Sequence, residues 1–174
     1  MRRFLQHTGL FILFCLLQTL IFERLLLGPF FAPCVYLLFL LLFPFGYSTF
    51  LILLWSFAIG ISVDLFSAGA LGVHASASIC LGLLRSGILK MVTTKGEIGQ
   101  LTIPGPRTLG TPWYFVYVIT SLFVHHTLLF GLESFYFTNL YLIIVRIVCS
   151  TILNTLLIAL LHTTFFNSKH LTDT

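Results

Sequence analysis

The side chains that could do chemistry in this sequence lie inside segments that are otherwise almost entirely apolar. Ionisable groups within a bilayer are costly, and they usually face the interior of a helix bundle or a water-filled cavity. We therefore expect these side chains to gather in a buried polar cluster and not to face lipid. The predicted members of this cluster are His74, His125, His126, Glu133, Arg146 and Asn154.

The spacing of these residues does not match a catalytic or metal-binding motif. His125 and His126 are adjacent, so on a helix they point about 100° apart and cannot ligate one metal ion as an i,i+4 pair can. The sequence contains no HExxH, GxSxG or P-loop motif, and its four cysteines form no CxxC pair. We predict that the protein is not an enzyme and that it needs no cofactor and no metal.

Arg146 requires a counter-charge at its own depth, because a buried charge without a partner is strongly destabilising. Asp64 and Glu133 are the two candidates, and Glu133 is favoured because a short turn joins its helix to the helix of Arg146. Three roles are open for Asp64. It could cap the start of the next helix, form an ion pair or act on a substrate.

The composition indicates an integral membrane protein, in which the segments that position these side chains are transmembrane helices. The chain has 174 residues, of which 58% are hydrophobic and only 8% are charged, whereas soluble domains carry roughly a quarter charged residues. No water-soluble fold of this length could bury so much apolar surface. The N-terminus resembles a signal peptide but lacks a small-x-small cleavage site. We therefore predict a retained first helix and one membrane domain over residues 1–174.

Six apolar segments approach the roughly 20 residues that a helix needs to cross a bilayer. They cover residues 4–22, 31–43, 49–66, 70–89, 113–133 and 139–166, and a polar loop occupies residues 90–112. The second segment is short and is flanked by Pro29, Pro33 and Pro44, so both five and six spans are possible. With six spans every basic cluster falls on one side, as the positive-inside rule requires. We predict an all-α polytopic protein with six transmembrane helices and both termini in the cytoplasm.

Basic residues lie at or within the one long loop. Two interpretations are open: the loop is a plain connector whose charge sets the topology, or it is a docking surface for a cytoplasmic partner. Nine basic residues spread along a membrane chain do not make a nucleic-acid patch. The candidate docking residues are Arg85, Lys90, Lys95 and Arg107.

Small and polar residues recur every four positions in the third and fourth segments. Ser56, Gly60 and Asp64 follow this spacing in the third segment, and Gly72 and Ser76 follow it in the fourth. Small-xxx-small spacing lets two helix backbones approach closely, and close approach is what drives helix association in lipid. We therefore predict that the third and fourth helices form the tightest contact of the bundle.

The stretch FAIGISVDLFSAGALGVHASASICLGLLRSGIL, residues 57–89, resembles the signature region of the rod shape-determining protein MreD family. The family pattern has a glycine and then an aspartate at the end of one span, followed by glycines that open the next. Gly60, Asp64, Gly69 and Gly72 match those positions. The stretch VHHTLLFGLESFYF, residues 124–137, is similar to the fifth helix and turn of some members.

The resemblance implies a non-catalytic scaffold subunit of the bacterial cell-elongation complex in the cytoplasmic membrane. It implies a single-span MreC-like partner, and MreB, RodA and a class B penicillin-binding protein in the same complex. It also implies a fold like that of the substrate-binding subunits of energy-coupling-factor transporters. A vitamin or small-molecule transporter subunit is therefore the alternative function. The first helix lacks the Ala-xxx-Ala pair of those subunits, and the outer connections are short, so the scaffold is favoured.

Overall fold

A computed structural model describes residues 2–25, 27–67, 69–93, 102–134 and 139–162, with side chains from Gln6 onward. The described residues form helices joined by short connections, with no strand among them. The helices are α1 (Arg2–Leu16), α2 (Leu37–Leu41), α3 (Thr49–Phe66), α4 (Val73–Val92), α5 (Pro106–Leu109), α6 (Thr111–Glu133) and α7 (Leu140–Leu161). A π-helical turn (Leu17–Ile21) and a 3-10 turn (Phe22–Arg24) extend α1.

Within the part of the chain that the structure describes, five helices are long and apolar enough to cross a membrane: Gln6–Arg24, Thr49–Phe66, Val73–Val92, Thr111–Glu133 and Leu140–Leu161. This confirms the prediction of an all-α chain with a multi-pass membrane character. The predicted bounds of α3 coincide with the observed ones, and α6 begins only two residues early. Residues 163–166 of the predicted last helix lie outside the described residues.

The predicted second helix, residues 31–43, is not a continuous helix. Only Leu37–Leu41 is α-helical, and the chain before it is extended or turned. Pro33 explains this, because a proline donates no backbone hydrogen bond and pushes the preceding residue out of the helical region. Residues 33–44 are nevertheless all buried in the centre of the bundle. We call residues 32–43 the broken segment.

Side-chain and backbone contacts define two ends of the bundle. At the first end, His7 stacks on Phe43 and Tyr47, with ring centroids 5.1 and 5.3 Å apart. Phe45 N donates to Thr102 O over 2.9 Å at the same end, which we call the loop end. The opposite end, where α3 turns into α4 and α6 finishes, is called the turn end. The broken segment therefore runs from the turn end to the loop end.

Among the described glycines, those at the α3–α4 contact leave the least room for a side chain. A Cβ atom on Gly60 would lie 2.5 Å from Ala75 Cα, and one on Gly82 would lie 2.7 Å from Ser56 Oγ. Only glycine permits backbones this close, which is the arrangement expected for small-xxx-small packing. The predicted close contact of these two helices is confirmed.

The face of α4 that makes this contact is not the predicted one. Ser76 is exposed, and Gly69 lies in the exposed connection before the helix. Gly72 precedes the first helical residue and has a φ of +93°, a conformation that favours glycine. A Cβ atom at this position would meet nothing within 4 Å, so the glycine is not needed for packing. The prediction was wrong because it began the helix at residue 70, whereas α4 begins at Val73.

Candidate functional site

A cavity of about 190 Å³ opens at the turn end of the bundle. Its walls come from the end of α1, the start of the broken segment, the α3–α4 connection, α4, α6 and α7. This position makes it the meeting point of most helices at that end. The polar side chains that line it are Gln18, Glu23, Ser67, His74, Glu133 and Arg146.

Asp64 lies directly behind the cavity wall and is fully buried. Its carboxylate accepts backbone hydrogen bonds from Gly72 N (2.9 Å), His74 N (2.9 Å) and Ala75 N (3.0 Å). The first N–H groups of a helix have no partner within the helix, so an acid from α3 caps α4 from outside it. Of the three roles left open for Asp64, the structure shows the cap of the next helix.

His74 completes this arrangement and forms part of the cavity wall. Its Nδ1 lies 2.9 Å from Asp64 Oδ1. Because a carboxylate only accepts hydrogen bonds, Nδ1 carries a proton, and in the tautomer protonated there Nε2 is an acceptor. This Nε2 makes no hydrogen bond to another described residue. His74 therefore presents an acceptor that is held in a fixed orientation.

Arg146 pairs with Glu133 and not with Asp64. Its Nη1 donates to Glu133 Oε2 over 2.7 Å, and its guanidinium lies 4.2 Å from the centre of the Phe130 ring. This confirms the favoured partner. Both side chains are about one-third exposed, at 35% and 30%, so the pair contributes little to stability and acts as a charged wall of the cavity.

Two polar side chains of α7 bind the backbone of the broken segment near its start. Asn154 Oδ1 accepts from Cys34 N over 2.6 Å, and Asn154 Nδ2 donates to Ala32 O over 2.7 Å. Ser150 Oγ accepts from Ala32 N over 3.1 Å. Irregular backbone at membrane depth is tolerated only when other groups of the protein satisfy its hydrogen bonds. Asn154 therefore has a structural role, because it satisfies backbone hydrogen bonds of the broken segment.

Gln18 also satisfies backbone hydrogen bonds of the broken segment, and the sequence analysis did not identify this residue. It lies in the π-helical turn after α1, where it is buried, and its Nε2 donates to Pro33 O over 2.8 Å. Its Oε1 accepts from Val35 N over 2.9 Å. The amide thus supplies the donor and the acceptor that a neighbouring strand would otherwise offer to an extended backbone. The available signal was a lone amide in an apolar run, close in sequence to a proline-rich segment.

Arg85 supports the broken segment at its other end. Its guanidinium donates to the carbonyls of Leu41 (3.3 Å) and Phe43, and its Nε donates to the Tyr117 hydroxyl over 2.9 Å. Tyr117 in turn donates to Leu41 O over 3.2 Å. The carbonyls at the C-terminus of α2 attract a cation because the helix dipole is negative there.

The prediction that Arg85 belongs to a cytoplasmic docking surface was therefore wrong. Arg85 is buried, because α4 continues to Val92 and keeps it inside the bundle. Lys90 and Arg107 are exposed at the loop end, as a docking surface requires. Lys95 lies outside the described residues.

His125 and His126 are buried in the middle of α6, each with its own partners. His125 Nε2 lies 2.9 Å from the Tyr36 hydroxyl. His126 Nε2 lies 3.2 Å from Asn154 Nδ2. The predicted cluster is thus divided into two groups. His74, Glu133 and Arg146 line the cavity, whereas His125, His126 and Asn154 form hydrogen bonds deeper in the bundle.

The cavity can bind and orient a small molecule through charged and polar side chains. Among the described residues, no group of three or more histidine, cysteine and acidic side chains could hold a metal ion. No family model, curated protein or solved structure matches the chain. The fold and the cavity therefore carry the functional argument on their own.

Proposed function

We propose that the chain is a non-catalytic membrane scaffold of the bacterial cell-elongation complex, similar to the MreD family. The observation that carries this proposal is the α3–α4 hairpin. Three of the four positions on which the resemblance depends have roles there that few other residues could take. Gly60 permits close backbone contact, Asp64 caps α4, and Gly72 adopts a positive φ. A pattern with this much structural content is stronger support than a short glycine-rich match.

In this proposal the chain crosses the membrane six times, and both termini lie in the cytoplasm. The broken segment supplies the sixth crossing. With three extended residues at about 3.3 Å and nine helical or turn residues at about 1.5 Å, residues 32–43 reach roughly 23 Å, most of the roughly 30 Å thickness of the hydrocarbon core. Lys90 and Arg107 are at the loop end, where α1 also begins with Arg2 and Arg3, whereas Arg24 follows α1 at the turn end. The positive-inside rule then assigns the loop end to the cytoplasm.

The partners follow from the surfaces that such a chain offers. The connections at the turn end are short, so an MreC-like single-span partner would contact helix faces within the bilayer. Lys90 and Arg107 would serve a cytoplasmic partner, and Lys95 belongs to the same proposed surface. MreB, RodA and a class B penicillin-binding protein would then be reached within the same complex.

The test is depletion of the protein in the organism that encodes it, combined with co-purification. Loss of rod shape and recovery of a single-span protein with a large extracytoplasmic domain would support the scaffold. The control is re-expression of the wild-type chain, which must restore both results. Normal rods on depletion, together with no such protein in the purified material, would refute the proposal.

A second candidate function is a substrate-binding membrane subunit of a vitamin or small-molecule transporter. The cavity of about 190 Å³ at the turn end favours it, because a scaffold does not require a pocket lined by charged groups. Co-purification with a pair of ATPases, and uptake that depends on this chain, would replace the scaffold proposal with the transporter.

A further inference from the structure

The cavity at the turn end presents hydrogen-bond acceptors whose donors have not been provided by the protein. The Glu23 carboxylate makes no hydrogen bond or ion pair with any described residue. His74 Nε2 is the free acceptor of a ring whose Nδ1 is bound to Asp64. Glu133 uses only Oε2 on Arg146, so its other oxygen is a third acceptor.

Several donors of the cavity wall are, in contrast, already engaged or turned away. Both atoms of the Gln18 amide bind the broken segment. Arg146 Nη1 is bound to Glu133, and Arg146 Nε, which has no partner among the described residues, is itself buried from any ligand. A molecule that supplies N–H or O–H donors therefore meets three acceptors in the cavity wall, with Arg146 Nη2 left as a donor beside them.

Charge selects among such molecules. Three carboxylates, those of Glu23, Asp64 and Glu133, face one guanidinium, that of Arg146, across the cavity and its wall. A cationic donor satisfies both the acceptors and the charge, and a primary ammonium group does so with three N–H bonds.

The size and the remaining walls describe the rest of the ligand. A cavity of about 190 Å³ has room for several waters, so it takes a small molecule or one end of a larger one. Phe22 and Phe31 line it beside the charged groups. Aromatic faces attract cations and accept a short alkyl stem.

We propose that this cavity is a binding site for a primary ammonium group on a short stem, with Glu23 as the main charged contact. The site lies at the ends of the long helices, at the turn end of the bundle. An ethanolamine headgroup or a soluble alkylamine would supply the same chemistry. This inference does not rest on the proposed function, since both a scaffold and a transporter subunit can carry such a site.

The experiment uses the purified full-length chain in detergent, with two arms. The lipid arm measures retention of phosphatidylethanolamine against phosphatidylcholine, whose methylated ammonium has no N–H donor, by mass spectrometry. The soluble arm measures thermal stabilisation by butylammonium against butanol, its uncharged counterpart. Each arm is repeated with Glu23→Gln and with Glu97→Gln, which removes the same charge from the connection between α4 and α5.

We expect wild type and Glu97→Gln to prefer the ammonium probe, and Glu23→Gln to bind it about fivefold more weakly, as for a partly exposed charged contact. A preference in the lipid arm assigns the site to a headgroup, and one confined to the soluble arm assigns it to a free amine. Because Glu23 has no partner among the described residues, its substitution leaves the unfolding temperature of the protein unchanged. Equal binding by Glu23→Gln and wild type, or no preference in either arm, would overturn the inference.

Discussion

Replacement of Asp64 gives the sharpest test of how the α3–α4 hairpin is held. Asp64→Ala removes four hydrogen bonds at once: three from backbone N–H groups and one from the His74 ring. Loss of a helix cap costs about 1–2 kcal/mol. The lost bond to His74 and the buried Ala75 N–H, left without a partner, each add about 1 kcal/mol. We expect a total of roughly 3–4 kcal/mol.

Asp64→Asn separates the charge from the geometry. Each carboxylate oxygen accepts two of the four hydrogen bonds, so an amide keeps one accepting oxygen and turns the other into a donor. About half of the loss, roughly 2 kcal/mol, should therefore remain. Glu133→Gln is the matched control, because it removes the same kind of charge from a partly exposed pair and should cost under about 1 kcal/mol.

The assay is reversible unfolding of the purified protein in mixed detergent micelles, followed by circular dichroism. The expected order of unfolding free energy is wild type and Glu133→Gln first, Asp64→Asn next, and Asp64→Ala last. An Asp64→Ala protein within about 1 kcal/mol of wild type would refute the cap, because four lost bonds at a buried carboxylate cannot cost so little.

The same unfolding assay tests the other contacts. Gly60→Ala should cost at least about 2 kcal/mol, because its new methyl group meets the backbone of α4. Gly131→Ala is the control and should be neutral or slightly stabilising, because the space around it is open. Equal effects of the two substitutions on stability would contradict the close packing. Gln18→Leu should cost about 2–4 kcal/mol of unfolding free energy, because two buried backbone groups lose their partners. Hydrogen exchange in the broken segment should become faster. Unchanged exchange would show that Gln18 does not hold the broken segment. Arg85→Met should destabilise the protein by about 2 kcal/mol or more, because its hydrogen bonds to Tyr117 and to the Leu41 carbonyl are lost. Lys90→Met, at an exposed position, should change stability by under about 0.5 kcal/mol. The reverse order of the two effects would contradict the buried structural role of Arg85.

The sequence was sufficient wherever a feature depended on neighbours along the chain. Apolar runs of nearly 20 residues located the five long helices, because length and hydropathy are local properties. The Arg146–Glu133 pair was predictable because a short turn joins their helices, and an acid at the end of α3 was a natural cap for the next helix. Each of these inferences needed only the sequence within about two helical turns of a connection.

Features set by distant parts of the chain were not predictable from local pattern. The start of α4 depends on a cap eight or more residues earlier, so the packing face was placed on Ser76 and not on the Ala75 side. Arg85 was grouped with the loop cations, because nothing near it shows that Leu41 and Phe43 need a donor. The sequence separation of such partners reaches 122 residues in the Ala32–Asn154 bond.

The broken segment explains why polar residues are a poor guide to function in a chain this apolar. Its backbone must find hydrogen bonds inside the membrane protein, and Gln18, Arg85 and Asn154 provide them. These side chains are polar for a structural reason, so they are removed from the set of functional candidates. The polar groups that remain are of two kinds: buried atoms without a partner among the described residues, such as His125 Nδ1, and the acceptors at the cavity, Glu23 and His74 Nε2. Only the second kind can be reached by a ligand from outside the bundle, and on that ground the turn end is the better candidate site.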